Sequence, residues 1–299
     1  MASNSLAPGG LDFKPRRRGH WKKILASALA LPACLGFYGL RWFEYAVTFR
    51  PEPYSSNQPW ETPAGGEDVW FVTRDNVRLH GWFVNSQTKP ALATVIFFHG
   101  NGGNLGHVGW LGEALARRGF DVLLFDYRGY GRSGGEMRDE NDLYADADAA
   151  YDFAVGARGA QPDRIVLYGQ SLGTTAVADL ASRRKCGALI VESGLSSASD
   201  MAATMLPWLP RPLRALGRNR FESARKLASV HSPVLIVHGD PDHTVPTDNA
   251  RRLYAAANEP KRLMIVAGAD HNVFGTGGDR YLDEVAAFIR AALSKAGAI

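Results

Sequence analysis

From about residue 67 onward, short apolar runs alternate with longer stretches in which apolar residues recur at helical spacing. The six apolar runs cover residues 93–98, 122–125, 165–168, 189–191, 234–237 and 263–266. Continuously apolar runs of this length are typical of strands that are buried on both faces of a parallel sheet. Their alternation with helices predicts an α/β fold, in which helices cover both faces of a mostly parallel sheet.

Two further segments add an antiparallel edge to this sheet, which brings the predicted number of strands to eight. Residues 68–73 and 77–84 alternate between apolar and polar side chains, and the polar residues 74–76 between them suit a tight turn. Helical spacing predicts helices over residues 105–118, 140–155, 172–183, 247–256 and 279–293.

One interval, residues 195–232, interrupts this alternation of predicted strands and helices. It contains Pro207, Pro210 and Pro212, so we expect two short helices there at most. We interpret it as a short cap inserted over the carboxyl ends of the strands, because sheets of this kind bind their ligands there.

The first 66 residues follow a different pattern. Residues 1–23 hold six basic residues, each Lys or Arg, and one Asp, and residues 24–40 carry no charge. An uncharged segment of this length behind a basic leader predicts a transmembrane signal anchor, which we place at residues 24–41. The leader would be cytoplasmic and the rest of the chain extracytoplasmic, in a periplasm or a lumen. Residues 42–66, rich in Pro, Ser and Gly, indicate a linker to a domain over residues 67–299.

Two other interpretations of the N-terminal segment stay open. Residues 28–30, Ala-Leu-Ala, resemble the cleavage site of a secretory signal. Residues 31–34 resemble a lipoprotein signal, in which Cys34 would carry the lipid. The signal anchor is preferred because its length and its flanking aromatic residues, Trp21, Trp42 and Tyr45, suit a membrane span.

Composition and charge exclude several classes of protein. With 45% hydrophobic and 21% charged residues, the 299-residue chain is not disordered. Its net charge is +4, but the leader at residues 1–23 carries that excess. The domain therefore lacks the basic surface that a nucleic-acid partner requires. The two cysteines, Cys34 and Cys186, are too few for the framework of a disulfide-rich fold.

Two G-x-S-x-G motifs are candidates for a nucleophilic serine. In the first, Ser171 lies between Gly169 and Gly173, directly after an apolar run and at the start of a predicted helix. That strand–turn–helix context is the one that an exposed nucleophile requires. In the second, Ser133 lies in a glycine-rich loop, and we interpret it as part of the loop structure. Ser171 is therefore the predicted nucleophile.

A serine nucleophile needs a histidine as its base and a carboxylate that orients the histidine. In a fold of this class they follow the serine in the order acid, then histidine, each just after a strand. His271 follows the sixth apolar run and is the only histidine after His243, so it is the predicted base. Asp240 and Asp242 follow the fifth run, and Asp270 adjoins the histidine, so position alone leaves three candidate acids.

The oxyanion that forms during acyl transfer needs backbone N–H donors. One donor is the residue after the nucleophile, here Leu172. The second donor comes from the loop after the third strand. That loop is the glycine-rich segment 99–104, and Asn101 within it is the predicted donor.

Together these motifs resemble the alpha/beta-hydrolase superfamily, and in particular its membrane-anchored, short-cap members related to serine aminopeptidase-like hydrolases. The resemblance covers about residues 44–299 and rests on segments 97–101, 125–131, 169–173, 238–246 and 268–272. In the family's H-G-x-x-D-x-x-V-P block the acid falls on Asp242, so the resemblance implies Asp242 rather than Asp240. The family's usual glycine before the histidine is Asp270 here.

The resemblance implies hydrolysis. We expect a serine hydrolase that cleaves carboxylic esters or thioesters through Ser171, His271 and Asp242 and an acyl-enzyme. The substrate would be a small or lipid-like ester, because lipid-like esters suit a protein held at a membrane by an N-terminal helix. A peptidase of the serine aminopeptidase type and a catalytically silent membrane-anchored scaffold are the alternatives.

The sequence predicts no cofactor and no metal. The glycines at residues 100, 102, 103 and 106 miss the G-x-G-x-x-G spacing of a nucleotide-binding loop. His238, Asp240, Asp242 and His243 are possible metal ligands, but the chain offers little to complete the coordination shell of a metal. The oligomeric state has no signature in the sequence.

Overall fold

The computed structural model describes residues 35, 36, 38, 39, 41, 42, 44–58, 60–214, 217–295 and 297. Contacts divide the chain into two units, Met1–Phe43 and Glu44–Ile299. The described residues of the first unit are helical. The predicted leader lies outside the described residues, as does most of the predicted anchor at 24–41, including Cys34. Among the described residues, no helix combines the length and the apolar character that a bilayer crossing requires.

An eight-stranded sheet forms the centre of the second unit, as predicted. Its strands are β1 (Gly66–Val72), β2 (Arg78–Val84), β3 (Ala93–Phe98), β4 (Phe120–Phe125), β5 (Ile165–Gln170), β6 (Ala188–Glu192), β7 (Val234–Gly239) and β8 (Lys261–Val266). Across the sheet they lie in the order β1-β2-β4-β3-β5-β6-β7-β8. The predicted hairpin β1–β2 is antiparallel, β2 is antiparallel to β4, and the other neighbours are parallel.

Helices cover both faces of this sheet. After β3 the chain forms α1 (Leu105–Arg117), α2 (Glu140–Gly156), α3 (Gly173–Arg183), α4 (Ala198–Met205), α5 (Arg211–Arg214), α6 (Ser223–Leu227), α7 (Asp248–Ala256) and α8 (Val273–Lys295). Apolar residues of α1 and α8 pack on one face, and those of α2, α3 and α7 pack on the other. Successive strand residues point to opposite faces, so strands with a core on each side must be apolar throughout.

The interval at residues 195–232, which we predicted to be a cap, contains three short helices, so the expectation of two at most is wrong. Its prolines separate the helices instead of preventing them. Helix α4 ends at Met205, before Pro207, and α5 begins directly after Pro210. Pro212 is the second residue of α5, where a missing N–H costs no hydrogen bond within the helix.

The last helix, α8, begins earlier than predicted. Helical spacing predicts a start at residue 279, whereas α8 begins at Val273. Gly278 interrupts the helix with a φ of 53° and a ψ of −148°. The apolar spacing therefore becomes regular only after this kink.

Residues 44–58, all of which fall in the predicted linker at 42–66, pack against the domain. Phe49 is 2% exposed and belongs to the core on one face of the sheet. Pro53 pairs with Gly131 in a parallel bridge, and the Tyr54 N–H donates to the Gly131 carbonyl at 2.7 Å. The compact unit thus includes chain that precedes the sheet.

The carboxyl ends of the parallel strands meet along one edge of the sheet. The register pairs Phe98 with Gly169, Gln170 with Glu192, and Glu192 with Val237. The loops that follow β3, β5, β6, β7 and β8 therefore lie side by side. These loops carry every residue to which the sequence assigns a chemical role.

Candidate active site

Ser171 lies on a sharp turn between β5 and α3. Its φ of 51° falls in the left-handed region, which a residue other than glycine adopts only where its surroundings impose it. A Cβ on Gly169 would lie 2.6 Å from the Gly173 carbonyl oxygen, and one on Gly173 would lie 2.0 Å from that of Phe98. Both flanking glycines are therefore required for the turn to pack. The turn leaves the Ser171 side chain partly exposed at the end of the strand.

A continuous chain of hydrogen bonds joins Ser171, His271 and Asp242. Ser171 Oγ lies 2.9 Å from His271 Nε2, and His271 Nδ1 lies 2.8 Å from Asp242 Oδ2. An ionised carboxylate only accepts hydrogen bonds, so Nδ1 carries the proton and Nε2 accepts from the serine hydroxyl. In this geometry a histidine can remove the proton of the serine.

Asp242 is buried and surrounded by hydrogen-bond donors. Its Oδ1 accepts the N–H groups of Thr244 at 2.9 Å and Val245 at 2.8 Å. Its Oδ2 faces His271 and also lies 3.2 Å from Nε2 of the buried His238. Burial alone would raise the pKa of Asp242, but hydrogen bonds from both histidines and from Val245 hold that pKa well below its usual range. The carboxylate therefore stays ionised beside His271.

The other two candidate acids bind backbone groups. Asp240 Oδ1 accepts the Gly268 N–H at 2.7 Å. Asp270 Oδ1 accepts the N–H groups of His271 at 2.8 Å and His243 at 3.0 Å. Both carboxylates thus join the loop after β7 to the loop after β8. Asp270, the departure from the family pattern, acts as a bridge between these loops.

The loop after β3 lies directly beside the serine. A Cβ on Gly100 would lie 3.4 Å from the Ser171 Cβ, which is van der Waals contact. Within the described part of the chain, the backbone N–H groups of Asn101 and Leu172 donate to no other residue. Two unpaired N–H groups next to a nucleophile can bind an oxyanion.

Two residues at the end of β6 also hold the site together, although no motif in the sequence indicates them. The Glu192 carbonyl accepts the Ser171 N–H at 2.9 Å. The Ser193 hydroxyl donates to the His271 carbonyl at 2.8 Å, from a backbone with a φ of 50°. The only signal for them in the sequence is position, since they form a polar pair at the carboxyl end of a parallel strand.

Ser133, the serine of the second motif, has structural partners. Its hydroxyl donates to the Asp126 carbonyl at 2.7 Å and accepts the His80 N–H at 2.9 Å. Nearby, the buried Arg128 binds the carboxylates of Asp75, Asp142 and Asp146. Hydrogen bonds and ion pairs therefore hold the loop after β4 in place, and Ser133 is a structural part of this loop rather than a nucleophile.

The possible metal ligands of the sequence have other partners. His238 Nε2 donates to the Val245 carbonyl at 2.7 Å, and His243 Nδ1 lies 3.3 Å from Asp270 Oδ2. Over the residues that the structure describes, no three His, Cys, Asp or Glu side chains converge to hold a metal ion.

Comparison with known proteins assigns the chain to a family. The family model described as alpha/beta hydrolase fold matches residues 93–232. The protein Rv2307c of Mycobacterium tuberculosis is 40% identical over 207 residues, which cover 69% of this chain and 73% of that protein. The chain belongs to the alpha/beta-hydrolase family. The protein YfhR of Escherichia coli K12 is 35% identical to this alpha/beta hydrolase over 241 residues, covering 78% of the chain and 83% of YfhR.

Solved structures share the fold of this alpha/beta hydrolase. The esterase Pf2001 of Pyrococcus furiosus has a TM-score of 0.65 at 21% identity, covering 82% of this chain and 97% of the esterase. The esterase domain of a Rhodothermus marinus protein has a TM-score of 0.59 at 20% identity, covering 76% of this chain and 98% of that domain. At these identities the likeness is one of fold. Family and fold together support a hydrolase that acts on a small molecule.

Proposed function

We propose that this alpha/beta hydrolase is a serine hydrolase, which cleaves carboxylic esters or thioesters through a Ser-His-Asp triad and an acyl-enzyme. The observation that carries the proposal is the unbroken hydrogen-bond chain from Ser171 through His271 to Asp242, with distances of 2.9 Å and 2.8 Å. The N–H groups of Asn101 and Leu172, which have no acceptor among the described residues, support it.

In the proposed reaction, Ser171 Oγ attacks the carbonyl carbon while His271 Nε2 takes the hydroxyl proton. Asp242 stays ionised and stabilises the imidazolium that forms. The carbonyl oxygen becomes an oxyanion, which the N–H groups of Asn101 and Leu172 stabilise. His271 then gives its proton to the departing alcohol or thiol, and the acyl group remains on Ser171.

Water completes the cycle from the acyl-enzyme. His271 removes a proton from a water molecule, whose oxygen attacks the acyl carbon. Collapse of the second oxyanion breaks the bond to Ser171 Oγ, and His271 returns the proton to that oxygen. The carboxylic acid leaves, and the serine hydroxyl is restored.

Esters and thioesters are favoured over peptides because the solved structures with this fold include esterases. Exposed apolar side chains on the cap suit a lipid-like acyl group, with Met205 at 61% and Trp208 at 75% exposure. The predicted signal anchor at residues 24–41 would keep such a site at a membrane, in a periplasm or a lumen.

A substrate panel on the purified full chain tests this proposal. It consists of p-nitrophenyl esters of two to sixteen carbons, acyl thioesters and aminoacyl p-nitroanilides, each with wild type and Ser171→Ala. We expect turnover of esters or thioesters and its loss in the variant. Turnover of the anilides alone would indicate a peptidase, and a folded wild type without turnover of any substrate would indicate a silent scaffold.

A further inference from the structure

The segment that enters the domain, residues 44–58, binds the loop that carries Asn101, and we call this segment the strap. The Arg50 N–H donates to Asn101 Oδ1 at 2.8 Å. Two residues further on, the Glu52 carbonyl accepts from Asn104 Nδ2 at 3.1 Å. Asn104 is the N-cap of α1, which fixes the other end of the loop. The strap therefore holds the loop at both of these asparagines.

Among the described residues, the Asn101 side-chain oxygen has one other hydrogen-bond donor. The hydroxyl of Tyr130, a buried residue, donates to Asn101 Oδ1 at 3.2 Å. The Arg50 N–H is thus one of two groups in the described part of the chain that restrain this side chain. The next residue toward the N-terminus, Gly100, lies so close to Ser171 that an added Cβ would contact the serine. A restraint on Asn101 is therefore also a restraint on the backbone beside the nucleophile.

The strap is itself firmly seated, because its first half binds the cap. The Glu44 carboxylate accepts the N–H groups of Arg218 at 2.9 Å and Asn219 at 2.7 Å. Phe49 packs edge-on against Phe221, with ring centroids 6.2 Å apart, and both rings are buried. A seated segment can hold a loop in place, whereas a passive linker cannot.

We propose that the strap positions the oxyanion hole and that the main-chain N–H of Arg50 is the positioning group. This inference rests on the proposed function, because it concerns the donor assigned to Asn101. It gives a role in acyl transfer to a segment whose composition suggests only a linker.

The expected effect is on the rate rather than on substrate binding. A misplacement of about 1 Å in a catalytic group can cost roughly a hundredfold in rate. The Tyr130 hydroxyl would still restrain Asn101, so we expect a loss of about tenfold in kcat, within that bound. KM should change little, because the oxyanion exists only in the transition state and the intermediate.

Arg50→Pro tests the inference, and Arg50→Ala is its matched control. Proline removes the N–H donor, whereas alanine removes the same exposed side chain and keeps the donor. With the full chain and a p-nitrophenyl ester, we expect kcat about tenfold lower for Arg50→Pro, with KM within about twofold. Arg50→Ala should match wild type. In an Asn101→Ala background, Arg50→Pro should have no further effect, because the acceptor is gone.

The role of the strap would be overturned if kcat were equal in Arg50→Pro, Arg50→Ala and wild type. The proposed function would then remain intact. A folded wild type that hydrolyses no ester or thioester would overturn both. If Arg50→Pro fails to fold, Asn101→Ala compared with Tyr130→Phe tests the same bond, because Asn101→Ala removes the acceptor of both donors and Tyr130→Phe removes only the hydroxyl donor. A kcat that is lower in Asn101→Ala than in Tyr130→Phe supports the strap, and equal kcat values in these two variants overturn its role.

Discussion

Asp242 lies between two histidines that have different surroundings. His271, on one side, is partly exposed and reaches Ser171. His238, on the other side, is buried and donates to the Val245 carbonyl while its Nε2 lies 3.2 Å from the carboxylate. The position of the acid thus depends on groups on both sides of it. Its neighbour Asp240 lacks these contacts and binds the Gly268 N–H.

This difference predicts the outcome of two matched substitutions. Asp242→Asn should lower kcat/KM by roughly 10³–10⁴-fold, because an amide can donate to His271 and favour the wrong tautomer. Asp240→Asn should stay within about threefold of wild type, because its amide oxygen can still accept the Gly268 N–H. Ester hydrolysis by both variants is the measurement. A large loss in Asp240→Asn with none in Asp242→Asn would reverse the assignment of the acid.

The low pKa of Asp242 has a consequence for the dependence of activity on pH. Because folding lowers the pKa of Asp242, its ionised carboxylate stabilises the folded protein above about pH 4. This contribution to the stability is lost as the pH falls through the pKa of the folded state. Between about pH 5 and 8, Asp242 therefore stays ionised. We expect the slope of log kcat/KM against pH to stay at or below about one in this range, and a slope of two would contradict an ionised Asp242.

At the scale of elements, the site depends on how closely β5, β3 and α3 approach one another. The turn after β5 passes so near β3 that no side chain fits at Gly173, where a Cβ would lie 2.8 Å from the His99 carbonyl as well as against Phe98. His99 begins the loop that carries Asn101. A change at this glycine should therefore disturb both the nucleophile and the oxyanion donors.

Gly173→Ala should lower the free energy of unfolding by about 1–3 kcal/mol or more and the esterase activity at least tenfold, because the new methyl group must displace backbone. Gly156→Ala is the control. A Cβ there meets nothing within 4 Å, and alanine in a helix is better than glycine by up to about 1 kcal/mol. Urea unfolding and ester hydrolysis of both variants measure the effect. Wild-type behaviour of Gly173→Ala would refute the close packing.

The strands, helices and turns also show how much of the fold and of the candidate site could be predicted from the sequence. Apolar runs with buried faces are a local signal, so the strands, the main helices and the turn at Ser171 could be read from it. The choice among Asp240, Asp242 and Asp270 needed the resemblance, because all three lie just beyond strands. The strap could not be predicted, because its bonds to Asn101 and Asn104 come from backbone groups, which have no side-chain signature.

At the scale of the whole molecule, charge and apolar character are distributed unevenly. Residues 1–23 carry six Lys and Arg with one Asp, and the uncharged residues 24–40 follow. The rest of the chain is close to neutral and holds the candidate active site. This distribution is the basis for the proposed signal anchor, with the N-terminus in the cytoplasm and the domain outside it.

We expect the full chain to stay in the membrane pellet after extraction with alkaline carbonate. Leu29→Arg combined with Leu31→Arg should release it, because each charge in a span of this length costs about 2.5–3.5 kcal/mol on insertion. Cys34→Ala should be retained like wild type. Release of Cys34→Ala alone would indicate lipidation at that cysteine, and a mature chain that lacks residues 1–30 by mass spectrometry would indicate cleavage.

The central claim is that Ser171 is an activated nucleophile, and labelling by a fluorophosphonate probe tests it most directly. The probe reacts with serines whose proton a neighbouring base removes, without requiring knowledge of the substrate. We predict that the full-length wild type and Ser133→Ala are labelled and that Ser171→Ala is not, with circular dichroism confirming that all three are folded. Labelling of Ser171→Ala, or no labelling of a folded wild type, would contradict the account.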